Sequence, residues 1–242
     1  MREMDIESLA LESGAHYEKA TAYIAGEPWS APQCASPVIA SFLRSWNDSL
    51  GEKDRNRLLK PYITKVIGTR TTEADEETRA WMAMDWLVRV NAPAWLDLAG
   101  LKDEAARLRN LPALTSSEIA LAVQDTINQA RDRAYAARSA ARTAAWSAAW
   151  DAAWGATWYA AWYAAWYAAW PTAGSAARYA AWYAAWYAAG ATAWYAAWST
   201  AWYAAGATAG SALRPTVETL QASACELLDR MCAVGHTGDE KT

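Results

Sequence analysis

The chain has 242 residues and a formal net charge of −4, which allows one sizeable domain or two small ones and excludes general polyanion binding. Its 17 Trp and 12 Tyr stand against a single Phe. Trp and Tyr each keep a polar edge that needs water or a hydrogen-bond partner, so this composition indicates rings that serve contact surfaces.

The first predicted elements lie in residues 1–115, where apolar residues recur at helical spacing and no alternating strand pattern occurs. Ser36 is a candidate N-cap, with Pro37 at the first helical position. The stretch that follows is expected to end at Gly68. These features predict a compact helical domain.

A second strong helix is predicted for Glu73–Val90. Acidic residues fill its first turn, as is typical of a helix N-terminus. Pro93 is expected to break it, and one or two shorter helices should follow. The side chains predicted on its broad apolar face are Trp81, Met82, Met84, Trp86 and Leu87.

From about residue 130 to residue 213 the sequence repeats every four residues. Trp fills one slot, Tyr often fills the next, and the other two are nearly always Ala. We predict that these rings form the interaction surface. Its members are Trp146, Trp150, Trp154, Trp158, Tyr159, Trp162, Tyr163, Trp166, Tyr167, Trp170, Tyr179, Trp182, Tyr183, Trp186, Tyr187, Trp194, Tyr195, Trp198, Trp202 and Tyr203.

The Ala content of the repeat favours helix, and Pro171 divides it into two expected helices, 118–170 and 175–212, that fold back as a hairpin. A period of four drifts about 40° per unit on an α-helix, so two alternatives stay open for residues 130–213. One is a helix wider than α. The other is a solenoid, which the 16-residue spacing of Gly174, Gly190 and Gly206 would suit.

The last element is an amphipathic helix predicted from Pro215. Its expected inward positions are Val217, Leu220, Leu227, Leu228 and Met231. The predicted organisation is therefore all-α, with a compact helical domain over 1–115, the tetrad-repeat region over 116–213, and the C-terminal helix with a polar tail over 214–242.

The number of rings in the repeat creates a burial requirement. Residues 130–213 hold 12 Trp and 9 Tyr, which would bury roughly 3,000–5,000 Å². A soluble monomer seldom exposes an apolar patch of more than a few hundred Å². One hairpin cannot hide this surface, so the rings should pack on residues 1–115, on a second copy, or on another partner.

Three stretches resemble a known family: AGEPWSAPQCASPVIASFLRSWNDSL (Ala25–Leu50), LLKPYITKVIGT and AWMAMDWLVR. With the tetrads, they are similar to uncharacterised actinobacterial and phage-associated proteins that also end in long Ala/Trp tetrads. The resemblance implies no activity for any residue. The family often has Asp in the slot after Trp, whereas here only Asp151 does, so an acidic ladder that would imitate nucleic acid is largely missing.

The sequence offers little for catalysis. The two histidines, His16 and His236, lie near the termini, and no metal-ligand spacing, phosphate-binding loop or nucleophile elbow is present. Cys34 has no His close in sequence that could activate it. Cys225 and Cys232 lie about 10 Å apart along a helix, too far for a disulfide. We predict no catalytic, cofactor-binding or metal-binding residue.

The N-terminal sequence lacks an apolar signal core, and three reduced, mostly buried thiols suit a cytoplasmic protein. The leading interpretation is a non-enzymatic assembly or binding protein whose rings hold a second copy or a protein partner. A membrane-interfacial or conditionally inserting protein is the first alternative, because long stretches of the repeat are uncharged. A single-stranded nucleic-acid binder is the second, which the scarcity of cations after Arg142 disfavours.

Overall fold

A computed structural model of the chain describes residues 5, 6, 9, 11, 16–28, 32–141 and 209–235. These residues form helices and loops without any strand, which confirms the predicted all-α fold. The helices are α1 His16–Ala25, α2 Pro37–Ser49, α3 Glu52–Leu59, α4 Tyr62–Lys65, α5 Glu73–Trp86, a π-helical turn Leu87–Asn91, α6 Ala92–Leu98, α7 Lys102–Arg109, α8 Ser117–Ala122, α9 Gln124–Ala141 and α10 Ala209–Ala233.

The start of α2 follows the sequence prediction. The Ser36 hydroxyl accepts a hydrogen bond from the backbone N–H of Ile39 at 3.3 Å, and Pro37 occupies the first turn. Since the first N–H groups of a helix have no partner inside it, the Ser36 oxygen stabilises this end. Because the Ser36 hydroxyl also donates to the Glu76 carboxylate at 2.5 Å, the cap connects α2 to α5.

The stretch predicted to stop at Gly68 ends its helix at Lys65, three residues earlier, and it also contains an interruption. Gly68 closes the turn that follows. Gly68 has a φ of 82°, which glycine adopts without the steric cost of a Cβ. The interruption lies at Lys60 and Pro61, where α3 ends and α4 begins. Since Pro61 has no backbone N–H, it cannot continue the hydrogen-bond ladder of α3.

The expectation that Pro93 breaks its helix is wrong. α5 continues through the π-helical turn directly into α6, with Pro93 in the first turn of α6. In the turn, the backbone N–H of Ala92 donates to the carbonyl of Leu87, five residues earlier. The wider turn precedes the proline, and a helix tolerates proline in its first turn. The chain therefore changes its hydrogen-bond register here without leaving the helical path.

The last helix also begins earlier than the sequence suggests. The amphipathic helix was expected from Pro215, whereas α10 covers Ala209–Ala233 with Pro215 inside it. Pro215 is exposed, so water can hydrate the carbonyl that loses its partner one turn earlier. Four of the five predicted inward residues, Leu220, Leu227, Leu228 and Met231, are buried, and Val217 packs against them in part.

One hydrophobic core joins the two ends of the described chain. Phe42 lies at its centre, with ring centroids 5.9 Å from Trp46 and 6.0 Å from Trp86, both edge-to-face. The same cluster includes buried side chains of α9 and α10. The core is thus built from residues that are more than 160 positions apart in sequence, for example Tyr62 and Cys225.

The N-terminus of α5 carries a capping box. The Thr72 hydroxyl accepts from the backbone N–H of Asp75, and the Asp75 carboxylate accepts from the backbone N–H of Thr72, both at 3.2 Å. Hydrogen bonds from Thr71 and then from Thr72 lower the pKa of Asp75 below its ordinary value. This arrangement satisfies two N–H groups at the helix end and confirms the predicted start at Glu73.

We expect Asp75→Asn to destabilise the fold at neutral pH and to match the wild type in acid. Because the folded state holds the pKa of Asp75 below its unfolded value, its contribution is present above about pH 4 and lost as the pH falls further. Urea unfolding at several pH values measures this. Glu226→Gln, an exposed acid within α10, is the control, and a pH-independent Asp75→Asn difference would contradict the expectation.

Candidate interaction surface

All twenty predicted surface rings, from Trp146 to Tyr203, lie outside the described residues, as do the proposed hairpin break and most of both repeat helices. What the structure describes are the two helices that flank this segment. α9 leads into it and α10 follows it. The geometry of these two anchors is therefore the structural information that bears on the candidate surface.

The first anchor, α9, holds the start of the four-residue repeat in an α-helix. Ala130 and Ala134 occupy the slot that holds Trp later in the sequence, and both are buried in the core. Tyr135, in the adjacent slot, is 53% exposed. α9 packs on α7, and Arg133 lies 3.8 Å from the Glu104 carboxylate of that helix. In this first part of the repeat, Ala residues in the Trp slot face the core, and the next slot, which holds Tyr135, faces outward.

The basic residues of α9 were the main feature of the nucleic-acid alternative. Arg131 forms an ion pair with Asp132 at 2.9 Å, and Arg133 faces Glu104. The side chain of Arg138 and all of Arg142 lie outside the described residues. Since two of the four arginines face carboxylates, the described part of α9 offers this alternative no free basic run.

The second anchor, α10, is held at its C-terminus by Arg79 of α5. This side chain is fully buried, and its guanidinium donates to the carbonyls of Met231 at 3.0 Å and Val234 at 2.6 Å. A third contact joins it to the Glu76 carboxylate at 2.6 Å. The last carbonyls of a helix have no partner inside it, and a cation there also meets the negative end of the helix dipole.

Further contacts join α10 along its length to α4 and α5. The Tyr62 hydroxyl donates to the carbonyl of Cys225 at 2.9 Å, and the Trp86 indole N–H donates to the Ser223 hydroxyl at 3.0 Å. Burial, followed by the effects of Cys225 and Asp229, raises the pKa of Tyr62 far above its ordinary value, so this phenol stays a donor. α10 is therefore an integral part of the core.

A groove of about 560 Å³ is lined largely by residues of α5. Its lining includes Trp81 and Met82, which the sequence placed on the broad apolar face of α5 and which are only partly buried. Residues 113–115 and Arg230 of α10 also line it. Sequence reasoning missed this groove, because the apolar face of α5 is wider than the core it covers.

An ion pair is part of the lining of the groove. Arg89 donates to both carboxylate oxygens of Asp85, at 2.6 and 2.7 Å, and the same carboxylate accepts from the backbone N–H of Leu114 at 2.8 Å. The hydrogen bonds to Asp85 are the main cause of the raised pKa of Arg89. These bonds fix the loop of residues 113–115 against α5 and so maintain the shape of the groove.

The three cysteines, Cys34, Cys225 and Cys232, are free and only partly buried, whereas mostly buried thiols were expected. At Cys34, burial first and then the neighbouring Glu27 raise the pKa of the thiol. Burial likewise raises the pKa of Cys232 to about 11. Since the thiolate is the nucleophile, these directions keep Cys34 protonated at neutral pH and disfavour a nucleophilic role.

Within residues 16–28, 32–141 and 209–235, no three His, Cys, Asp or Glu side chains come together as a metal site would require. In the same part of the chain, no helix combines the length and hydropathy needed to cross a membrane. The side chain of His16 and all of His236 lie outside the described residues.

Comparisons of the sequence with known protein families and curated proteins, and with solved structures, find no match. The resemblance to proteins with Ala/Trp tetrads therefore stays a prediction.

Proposed function

We propose that this protein is a non-enzymatic assembly or binding protein, in which a helical core presents the Trp/Tyr/Ala repeat for association with a second copy or a protein partner. The observation that carries the proposal is the placement of the two anchors. α9 and α10 both belong to one hydrophobic core, so the segment between Ala141 and Ala209 is fixed to the same body at each end.

The described core supports this proposal because its interior is already filled. Phe42, Trp46, Trp86 and Trp95 are buried among aliphatic side chains of the same cluster. Protein interiors are close-packed and do not admit additional large rings without rearrangement. The twenty rings of the repeat therefore need contact surface other than the inside of this core.

Tethering both ends of the segment favours association. A segment fixed at two points loses less conformational entropy on binding than a free tail of equal length. Trp and Tyr supply large contact areas with few rotatable bonds, which is why they predominate among energetically important interface residues. The repeat thus combines many such rings with a support that limits their entropic cost.

The test is the mass of the full chain in solution. We expect size-exclusion chromatography with light scattering to show an oligomer, or a complex with a captured protein. Replacing the seven Trp from Trp146 to Trp170 by Ala should reduce the association, because it removes rings while it keeps chain length and helix propensity.

Two controls separate this proposal from its alternatives. Arg138→Ala with Arg142→Ala removes two cations but no ring, so association should be unchanged. Wild-type protein mixed with vesicles of phosphatidylcholine and phosphatidylglycerol tests the membrane alternative by co-flotation. A monomer that floats with vesicles would overturn the proposal, and so would a monomer that binds no hydrophobic dye.

A further inference from the structure

Asn91 carries a buried side-chain amide that finds no hydrogen-bond partner among the residues that the structure describes. It lies at the end of the π-helical turn, its side chain is 0% exposed, and neither Oδ1 nor Nδ2 has a partner in the described part of the chain. An Asn amide has two donors and an acceptor with two lone pairs. Buried polar groups are nearly always paired, so this one destabilises the closed core.

The same short segment has a second weakness. The π-helical turn replaces the usual hydrogen bonds of an α-helix, and Pro93, two residues after Asn91, donates no backbone hydrogen bond. The orphaned amide, the change of register and the missing donor all fall within Leu87–Pro93. Elements that open locally are drawn from such regions of low stability.

The π-helical turn lies between the two parts of the core that hold the ends of the repeat. On its N-terminal side, α5 holds α10 through Arg79 and Trp86, and α10 follows the repeat. On its C-terminal side, α6 packs on α7, and α7 packs on α9, which leads into the repeat. The turn therefore joins the part of the core that holds one end of the repeat to the part that holds the other.

We propose that Leu87–Asn91 is a hinge at which α6 and α7 open away from α5 while the rest of the core stays folded. In the open state the Asn91 amide bonds to water, which offsets part of the cost of exposing the neighbouring apolar side chains. Opening breaks the contact between α6 and α10 and changes the separation of the two anchors. The hinge is a property of the core and stands whether or not the repeat associates.

Native-state hydrogen exchange of the full chain tests the hinge. In the wild type, the backbone amides of residues 92–98, except Pro93, which has none, should exchange through a partial opening, faster than the core amides of α2. Asn91→Leu keeps the branching at Cγ and removes the orphaned polar atoms. It should slow exchange of residues 92–98 by about 5- to 150-fold, the equivalent of ~1–3 kcal/mol for burying an unpaired polar group.

The matched control is Asn110→Leu, an exposed Asn at the end of α7, which should leave exchange of residues 92–98 unchanged. The wild-type measurement decides the matter even if Asn91→Leu folds poorly. Exchange of residues 92–98 only by global unfolding, at the rate of α2, would overturn the hinge. Equal or faster exchange of these residues in a folded Asn91→Leu protein would also overturn it.

Discussion

Arg79→Met is expected to lower the free energy of unfolding by about 3–5 kcal/mol, the range observed when one partner of a buried ion pair is removed. The substitution preserves an unbranched apolar stem. It removes the cation beside the Glu76 carboxylate, which keeps its bond from the Ser36 hydroxyl, and it removes the guanidinium that donates to the carbonyls of Met231 and Val234. Urea unfolding followed by far-UV circular dichroism measures the change through the midpoint at constant slope.

Arg214→Met is the matched control for Arg79→Met. Arg214 also lies on α10 and pairs with Glu218 at 3.0 Å, but both side chains are more than 60% exposed. Solvent screens such pairs, so this variant should cost about 0.5 kcal/mol or less. Equal effects of the two substitutions would contradict the role of Arg79 as the buried cap of α10.

A second variant isolates the charge of Glu76. In Arg79→Met with Glu76→Gln, the uncompensated carboxylate is gone, so part of the lost stability should return. The recovery should be incomplete, because the carbonyls of Met231 and Val234 still lack the guanidinium donor. Full recovery would place the whole effect in the ion pair and none in the cap.

Local chemistry explains which elements of this fold are readable from the sequence. Ser36, Pro37 and Gly68 act on the backbone within a few residues of themselves, and the acids after Thr72 do the same. The cap at Ser36 and the start of α5 were correctly predicted, and Gly68 has the positive φ of a turn, because a cap or a positive φ depends on its own segment.

The features that could not be predicted from the sequence depend on contacts between distant segments. Arg79 caps α10, which ends about 150 positions later, and no residue near Arg79 in the sequence indicates this contact. At Pro93 the local rule predicted a break, but packing of α6 on α7 and on the core retains the helical path. Trp81 and Met82 satisfy the apolar pattern of α5, yet only tertiary packing determines that they line a groove.

The candidate surface was likewise predictable in part from the sequence and in part only from the structure. The four-residue period identifies the rings directly, and the structure adds that its first units lie on α9 with Ala130 and Ala134 facing the core. Neither the four-residue period nor the position of α9 alone shows how the two ends of the repeat connect to the core. The finding that both flanking helices enter one core required the contacts of α10 with α4 and α5.

Phe42→Ala should be as destabilising as Arg79→Met, at about 3–5 kcal/mol, because it removes a fully buried ring from between Trp46 and Trp86 and leaves a cavity. Phe42→Leu retains most of the volume and should lose mainly the edge-to-face contacts, about 0.5–1.5 kcal/mol. Leu121→Ala, at a side chain 46% exposed, is the control and should stay within about 0.5 kcal/mol. Urea unfolding of all three variants tests this order. If Phe42→Ala costs no more than Leu121→Ala, the only Phe of the chain is not the centre of its core.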